Sequence, residues 1–254
     1  MTNALTSLGQ LILFLGTVIR YLKASNYSSH EVFDQIWKVT KESVLITSTA
    51  GFFVGAIMTI QFTLQLNEFG ALGYLGGLST SGTVREIGPL LIAFMLSGKI
   101  GAYTSAELGT MRVTEQIDAL RCLGADPIRE IVVPRFIAII ISSFFLLGFG
   151  LMMSVLGGAF MARIFGGISP QEYFRYIPQF VHLGSITLGL LKCFLFAVIL
   201  ATNCSYFGYY TVGGAIGVGR AVVKTAVVTM VGIVIADWVT SQLADVLLRM
   251  LGQT

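Results

Sequence analysis

Charge is scarce in this chain. Only 11% of its 254 residues are charged, whereas 55% are hydrophobic and the mean hydropathy is +0.81. A soluble domain carries roughly 25% charged residues, so the shortage excludes a water-soluble fold and marks an integral membrane protein. Cysteine is also rare. Cys122 sits in a charged segment, and Cys193 and Cys204, if on one helix, stand about 16 Å apart along its axis, too far to bridge each other. His30 and His182 are isolated, and no Cys/His cluster has metal-ligand spacing. There is no GxSxG, HExxH or GxxxxGK[ST], so no catalytic centre, metal, cofactor or nucleotide site is expected in this chain. Gly213, Gly214, Gly217 and Gly219 superficially resemble a phosphate loop, but no strand precedes them and a turn is the better reading. No inverted internal repeat is evident, and no nucleic-acid partner is expected.

What is present is a succession of long apolar runs. At ~20 residues per span, five membrane spans are expected, at 43–66, 86–108, 131–165, 184–210 and 222–248. Residues 1–25 hold an apolar run followed by Arg20 and Lys23, the reverse of a signal peptide. Leu5, Leu8, Ile12, Leu15, Ile19 and Leu22 recur at helical spacing, as in a helix lying in the membrane interface. Residues 26–42 read as a polar connector on the water side. Gly51 and Gly55 form a GxxxG pair that permits close helix approach. Residues 67–84 read as a turn or partial helix, 166–183 as an aromatic headgroup-level connection, and 212–224 as a Gly-rich link.

Basic residues set the orientation. Arg20, Lys23, Lys38, Lys41, Arg112, Arg121, Arg129, Arg135, Arg220 and Lys224 fall on one side; Arg163, Arg175 and Arg249 fall on the other. The N-terminus is therefore expected in the cytoplasm and the C-terminus outside. The sequon Asn26-Tyr27-Ser28 then lies on the cytoplasmic side and is discounted.

One stretch breaks the apolar rule. After Glu107, eight charged residues follow up to Arg135 (Arg112, Glu115, Asp118, Arg121, Asp126, Arg129, Glu130 and Arg135). Such density belongs in water, between two spans, with its centre in the 110–130 segment. Its interior predicts a short helix from Thr114 to Leu123, with Thr114 as N-cap, Glu115 and Asp118 in the first turn and Gly124 at C′. Asp126-Pro127 predicts the cap and first residue of a second helix. Val113, Ile117 and Leu120 share one face, and Glu115, Asp118 and Arg121 another. A short amphipathic helix fixed between spans suits a membrane protein that receives force from a soluble partner.

Ionisable residues inside spans are the remaining signal. Arg85 and Glu86 precede Gly88-Pro89 at the outer start of span two, and Lys192 lies within span four. They either snorkel or pair internally, or they line an outward-facing cavity for an anionic headgroup. Lys99 and Glu107 share one face near the cytoplasmic end and suggest a structural role. Asp237 has no evident partner in the sequence.

The runs REIGPLL (85–91), SGKIGAYTSAELGTMRVTEQIDAL (97–120) and GADPIREIVVPR (124–135) resemble the MlaE/YrbE group, the permeases of MCE-associated ABC lipid transporters. The resemblance covers residues 43–250 and is densest at 85–135. It implies a single permease domain with no chemistry of its own, in the bacterial inner membrane, forming a homodimer. Expected partners are a separate cytoplasmic ATPase that binds ATP and Mg, a periplasmic MCE-domain protein, a phospholipid or related lipid, and in some systems a small cytoplasmic accessory subunit. It further implies a lipid cavity lined by Arg85, Glu86 and Lys192, with Met58, Leu66 and Phe69 matched by position. ATPase coupling is expected at Glu115, Ile117, Asp118, Leu120 and Arg121. A small-solute ABC importer and an ion-coupled carrier are the competing readings. The expected fold class is all-α: about five transmembrane helices plus an N-terminal interfacial helix and a cytoplasmic coupling helix.

Overall fold

The computed structural model describes residues 2–23 and 29–250. The sequon at 26–28 and the C-terminal residue 254 lie outside the described residues. Among the described residues all regular structure is helical. The helices are α1 (Thr2–Lys23), α2 (Ser29–Glu68), α3 (Leu72–Val113), α4 (Gln116–Cys122), α5 (Ile128–Phe165), α6 (Pro170–Arg175), α7 (Ile177–Phe180), α8 (Leu183–Tyr209) and α9 (Gly214–Met250). Five of them (α2, α3, α5, α8 and α9) are long and apolar enough to cross a membrane. The protein is an all-α integral membrane protein, as its composition requires.

Two expected connectors are helical instead, and the partial helix expected within 67–84 is present. Residues 29–42 continue into span one as part of α2. Residues 72–84 form the first turns of α3, and the Gly-rich stretch from Gly214 opens α9. Glycine weakens a helix interior by only ~1 kcal/mol, and polar residues extend a helix beyond a span readily. Composition marked where water begins, not where the helix ends.

Two of the long helices run through prolines, and the backbone shows how. Pro89 has no N–H to give to the carbonyl of Arg85. A π turn over Thr83–Ile87 takes up the misfit, with the Gly88 N–H reaching back to the Thr83 carbonyl. Pro134 is preceded in the same register by a π turn over Ile128–Val132. A third π turn, Ser97–Gly101, has no proline after it. Each π turn carries ionisable residues: Arg85 and Glu86, Lys99, and Arg129 and Glu130. Such widened turns re-aim side chains and gather at functional places.

The chain forms two compact units. The first comprises Met1–Glu42, Leu96–Ser142 and Ala197–Gly232. In it, α1 packs through Phe14 against Tyr206 and Tyr210, with ring centroids 5.6 and 6.1 Å apart. Tyr21 donates its hydroxyl to Asp126, whose carboxylate holds that proton and raises the phenol above its ordinary pKa. Lys99 bonds the Glu42 carbonyl at 2.9 Å, and Glu107 meets Lys38 and Arg135 at 3.4 and 3.3 Å. Lys99 and Glu107 thus each have their own partners.

The second unit comprises Ser43–Met95, Ser143–Phe196 and Ile233–Thr254. Here α2 and α5 approach closely. A Cβ on Gly51 would collide with the backbone of Gly150, one on Gly55 with that of Ser154, and one on Gly157 with that of Phe52. The GxxxG pair is therefore a helix–helix contact. Beside it, Leu75, Ala159, Ala162, Ile168 and Tyr173 form a buried cluster that seats α6 on the start of α3. The buried Tyr173 hydroxyl lies 3.0 Å from Ser79 Oγ and 3.4 Å from the hydroxyls of Thr59 and Thr80.

Candidate functional site

Within the second unit, side chains from α3, α8 and α9 converge on one ammonium group. Lys192 on α8 is fully buried, with 0% of its surface exposed. Its Nζ donates to Glu86 Oε2 at 2.6 Å and to Ser241 Oγ at 2.8 Å. Asp237 Oδ1 lies 2.9 Å from Nζ as an ion pair without hydrogen-bond alignment. Ser241 Oγ also lies 3.0 Å from Glu86 Oε2, and it donates to the Asp237 carbonyl at 2.9 Å.

This geometry satisfies a charge that apolar surroundings would otherwise reject. Asp237 and Ser241 stand one turn apart on α9, so both reach the same point. The π turn that Pro89 forces on α3 sets where Glu86 projects. The set of Lys192, Glu86 and Asp237 carries one positive and two negative charges. Arg85 lies beside Glu86 in the same π turn. Lys192 is therefore a pin at the back of the group, while the Glu86 side chain keeps 43% of its surface exposed.

The structure sorts the expected cavity residues. Glu86 and Lys192 come together, with Lys192 fully buried, and Arg85 adjoins Glu86 in the same π turn. Met58 is half-buried beside Gly82, one turn before Glu86 and close to where a Cβ of Gly82 would lie, at 3.8 Å from the Met58 Cε. Leu66 is half-buried and packs against the Leu75–Tyr173 cluster. Phe69 lies beyond the end of α2 in a turn and is exposed. Asp237 and Ser241 complete the group and were not singled out as site residues. Their i,i+4 spacing on α9, together with a lone cation in span four, is the signal that could have found them.

The charged segment of the first unit differs in detail from its expected form. Thr114 does not cap α4; it ends α3, and its hydroxyl bonds the Thr110 carbonyl at 2.9 Å. Glu115 holds the N-cap position in a left-handed conformation, with φ 60° and no capping hydrogen bond from its side chain. Gly124 takes the C′ position as expected, with φ 80°. Its N–H bonds Arg121 O at 3.0 Å and the Ala125 N–H bonds Leu120 O at 3.1 Å, the paired bonds that close a helix at glycine. Asp126 accepts the Ile128 N–H at 3.0 Å and so caps the start of α5.

Ile117, expected to offer area to a partner, is instead buried at 0% exposure and fastens α4 to its own unit. Helical periodicity placed it on an apolar face but could not say which body covers that face. The apolar side chain α4 presents outward is Leu123, 82% exposed, beside exposed Glu115, Gln116 and Ala119; Leu120 is half-buried. Arg112 and Arg121 meet Asp118 Oδ1 at 2.6 and 3.3 Å.

The family model described as Permease MlaE matches residues 32–243. Among curated proteins, the chain is 33% identical over 228 residues to a probable ABC transporter permease protein of Synechocystis, covering 90% of this chain and 87% of that one. A probable ABC transporter permease protein of Rickettsia typhi is 33% identical over 201 residues, 79% of this chain and 78% of its own. Protein TRIGALACTOSYLDIACYLGLYCEROL 1, chloroplastic, of Arabidopsis thaliana is 34% identical over 197 residues, 78% of this chain and 55% of its own.

Proposed function

Because the chain belongs to the MlaE permease family and is an ABC transporter permease subunit, we propose that it moves phospholipid or a related lipid. On this reading it works as a homodimer in a bacterial inner membrane with its N-terminus in the cytoplasm. A separate cytoplasmic ATPase, which binds ATP and Mg, engages the outward side of α4 through Glu115, Asp118, Leu120 and Leu123. A periplasmic MCE-domain protein exchanges lipid with the permease, and a small cytoplasmic accessory subunit joins where one is encoded.

The observation that carries the substrate class is the ionic group of Lys192, Glu86 and Asp237 on otherwise apolar helices. A phosphodiester headgroup suits the planar, charged guanidinium of Arg85, which offers paired donors. A cationic headgroup moiety suits the half-exposed Glu86. Lys192 acts by holding Glu86 in place, and Asp237 and Ser241 hold Lys192. Met58, soft and unbranched, suits contact with varied acyl chains. Support also comes from the Arabidopsis relative, whose name contains a lipid.

Membership in an ABC permease family sets aside the ion-coupled carrier. The remaining alternative, a small-solute importer, differs in cargo. Purified with its co-expressed ATPase and MCE partner and placed in vesicles carrying a fluorescent phospholipid, the complex is expected to move label between vesicle and MCE protein only with ATP. Absence of ATP-dependent lipid movement in a complex that hydrolyses ATP would contradict the assignment.

A further inference from the structure

Helix α4 hangs between two special backbone positions. Glu115, at its entry, is the non-glycine residue with positive φ among the described residues. A Cβ in that conformation carries strain, and such strain gathers at functional or switching places. Gly124, at its exit, is left-handed without penalty. Between them, Arg121 reaches the end of α8. Its Nη2 donates to the Tyr209 hydroxyl at 2.7 Å, and its guanidinium carbon lies 5.9 Å from the centre of that ring. Tyr209 is the last residue of α8 and is buried, with Phe14 and Tyr210 packed at 6.3 and 5.1 Å between centroids. Eighty-eight residues separate the two partners in sequence. By contrast, the bond from Arg112 to Asp118 ties α4 only to the adjoining end of α3.

We propose that the Arg121–Tyr209 contact transmits displacement of α4 to α8, the span that carries Lys192, and that Tyr209 is a positioning residue for coupled transport. The inference rests on α4 being the ATPase contact. A planar guanidinium that both donates to a hydroxyl and lies over its ring resists sliding as well as separation. A sequence-distant contact onto a span's end is where motion of a short external helix passes into the membrane domain.

Tyr209→Phe separates transmission from folding. It keeps the ring and its packing and removes only the hydroxyl. Arg121 is half-exposed and retains Asp118 at 3.3 Å, so no buried charge is stranded. The complex, purified with its co-expressed ATPase, is placed in vesicles of phosphatidylethanolamine and phosphatidylglycerol carrying a fluorescent phospholipid, and labelled lipid moved per ATP hydrolysed is measured. In Tyr209→Phe, bound ATPase and basal hydrolysis match the wild type, while lipid per ATP falls on the order of tenfold, the worth of one hydrogen bond to a charged group. Arg121→Lys, which keeps a donor, retains more coupling than Arg121→Met, which has none; this pair decides the matter equally if Tyr209→Phe lowers yield. Wild-type lipid per ATP in Tyr209→Phe, or equal losses in the two Arg121 variants, overturns the inference while leaving α4 as the ATPase contact. A Tyr209→Phe complex that has lost its ATPase makes the contact merely structural and also overturns it. Failure of the wild-type permease to retain an ATPase overturns the reading of α4 and this inference together.

Discussion

The two units hold their charges in opposite ways. In the second, Lys192 is sealed from solvent and answered by Glu86, Asp237 and Ser241 from two other helices. In the first, the pairs of α4 are half-exposed, with Arg112 and Asp118 showing 31% and 46% of their side chains. Equal distances do not mean equal energies. A buried pair costs desolvation and is held only while every partner remains, so loss of one member is severe. An exposed pair is diluted by water and salt, so its loss is small. The buried group is suited to fixing one geometry, and the exposed one to yielding and re-forming.

Lys192→Met should break the contrast most strongly. It removes the cation that Glu86 and Asp237 share, and should cost about 3–5 kcal/mol, read as a large fall in thermal midpoint in detergent. A midpoint like the wild type would show that the carboxylates have other support. Next is Tyr173→Phe, which removes the hydroxyl shared by Ser79, Thr59 and Thr80. Those three side chains keep some freedom to re-pair, so a loss of about 1–3 kcal/mol is expected. Smallest is Asp118→Asn, expected to cost under about 1 kcal/mol and to vanish at high salt. A salt-independent loss as large as that of Lys192→Met would erase the distinction between the units.

Much of this was legible in the sequence, for physical reasons that differ residue by residue. Long apolar runs leave no choice but helices in a bilayer, so five spans followed directly. Gly51 and Gly55 announced a close approach, though not that α5 would supply the other side. Gly124 and Asp126 were readable because end-of-helix chemistry is local. Thr114 misled because it is as good a candidate as any cap, and the choice was settled by α3 continuing past it. Ile117 misled because periodicity identifies a buried face without naming what buries it. Lys192 was found, but its partners Asp237 and Ser241 come from a helix some forty-five residues on, a separation no local pattern spans.

In the proposed site Arg85 and Glu86 meet the lipid while Lys192 stands behind them. Native mass spectrometry of the Arg85→Gln permease, read for intact protein and for retained phospholipid, tests it most directly. The expected outcome is an assembled protein, a thermal midpoint near that of the wild type, and bound lipid reduced on the order of tenfold, from loss of a charged contact to phosphate. Undiminished phospholipid on a stable Arg85→Gln protein would contradict it.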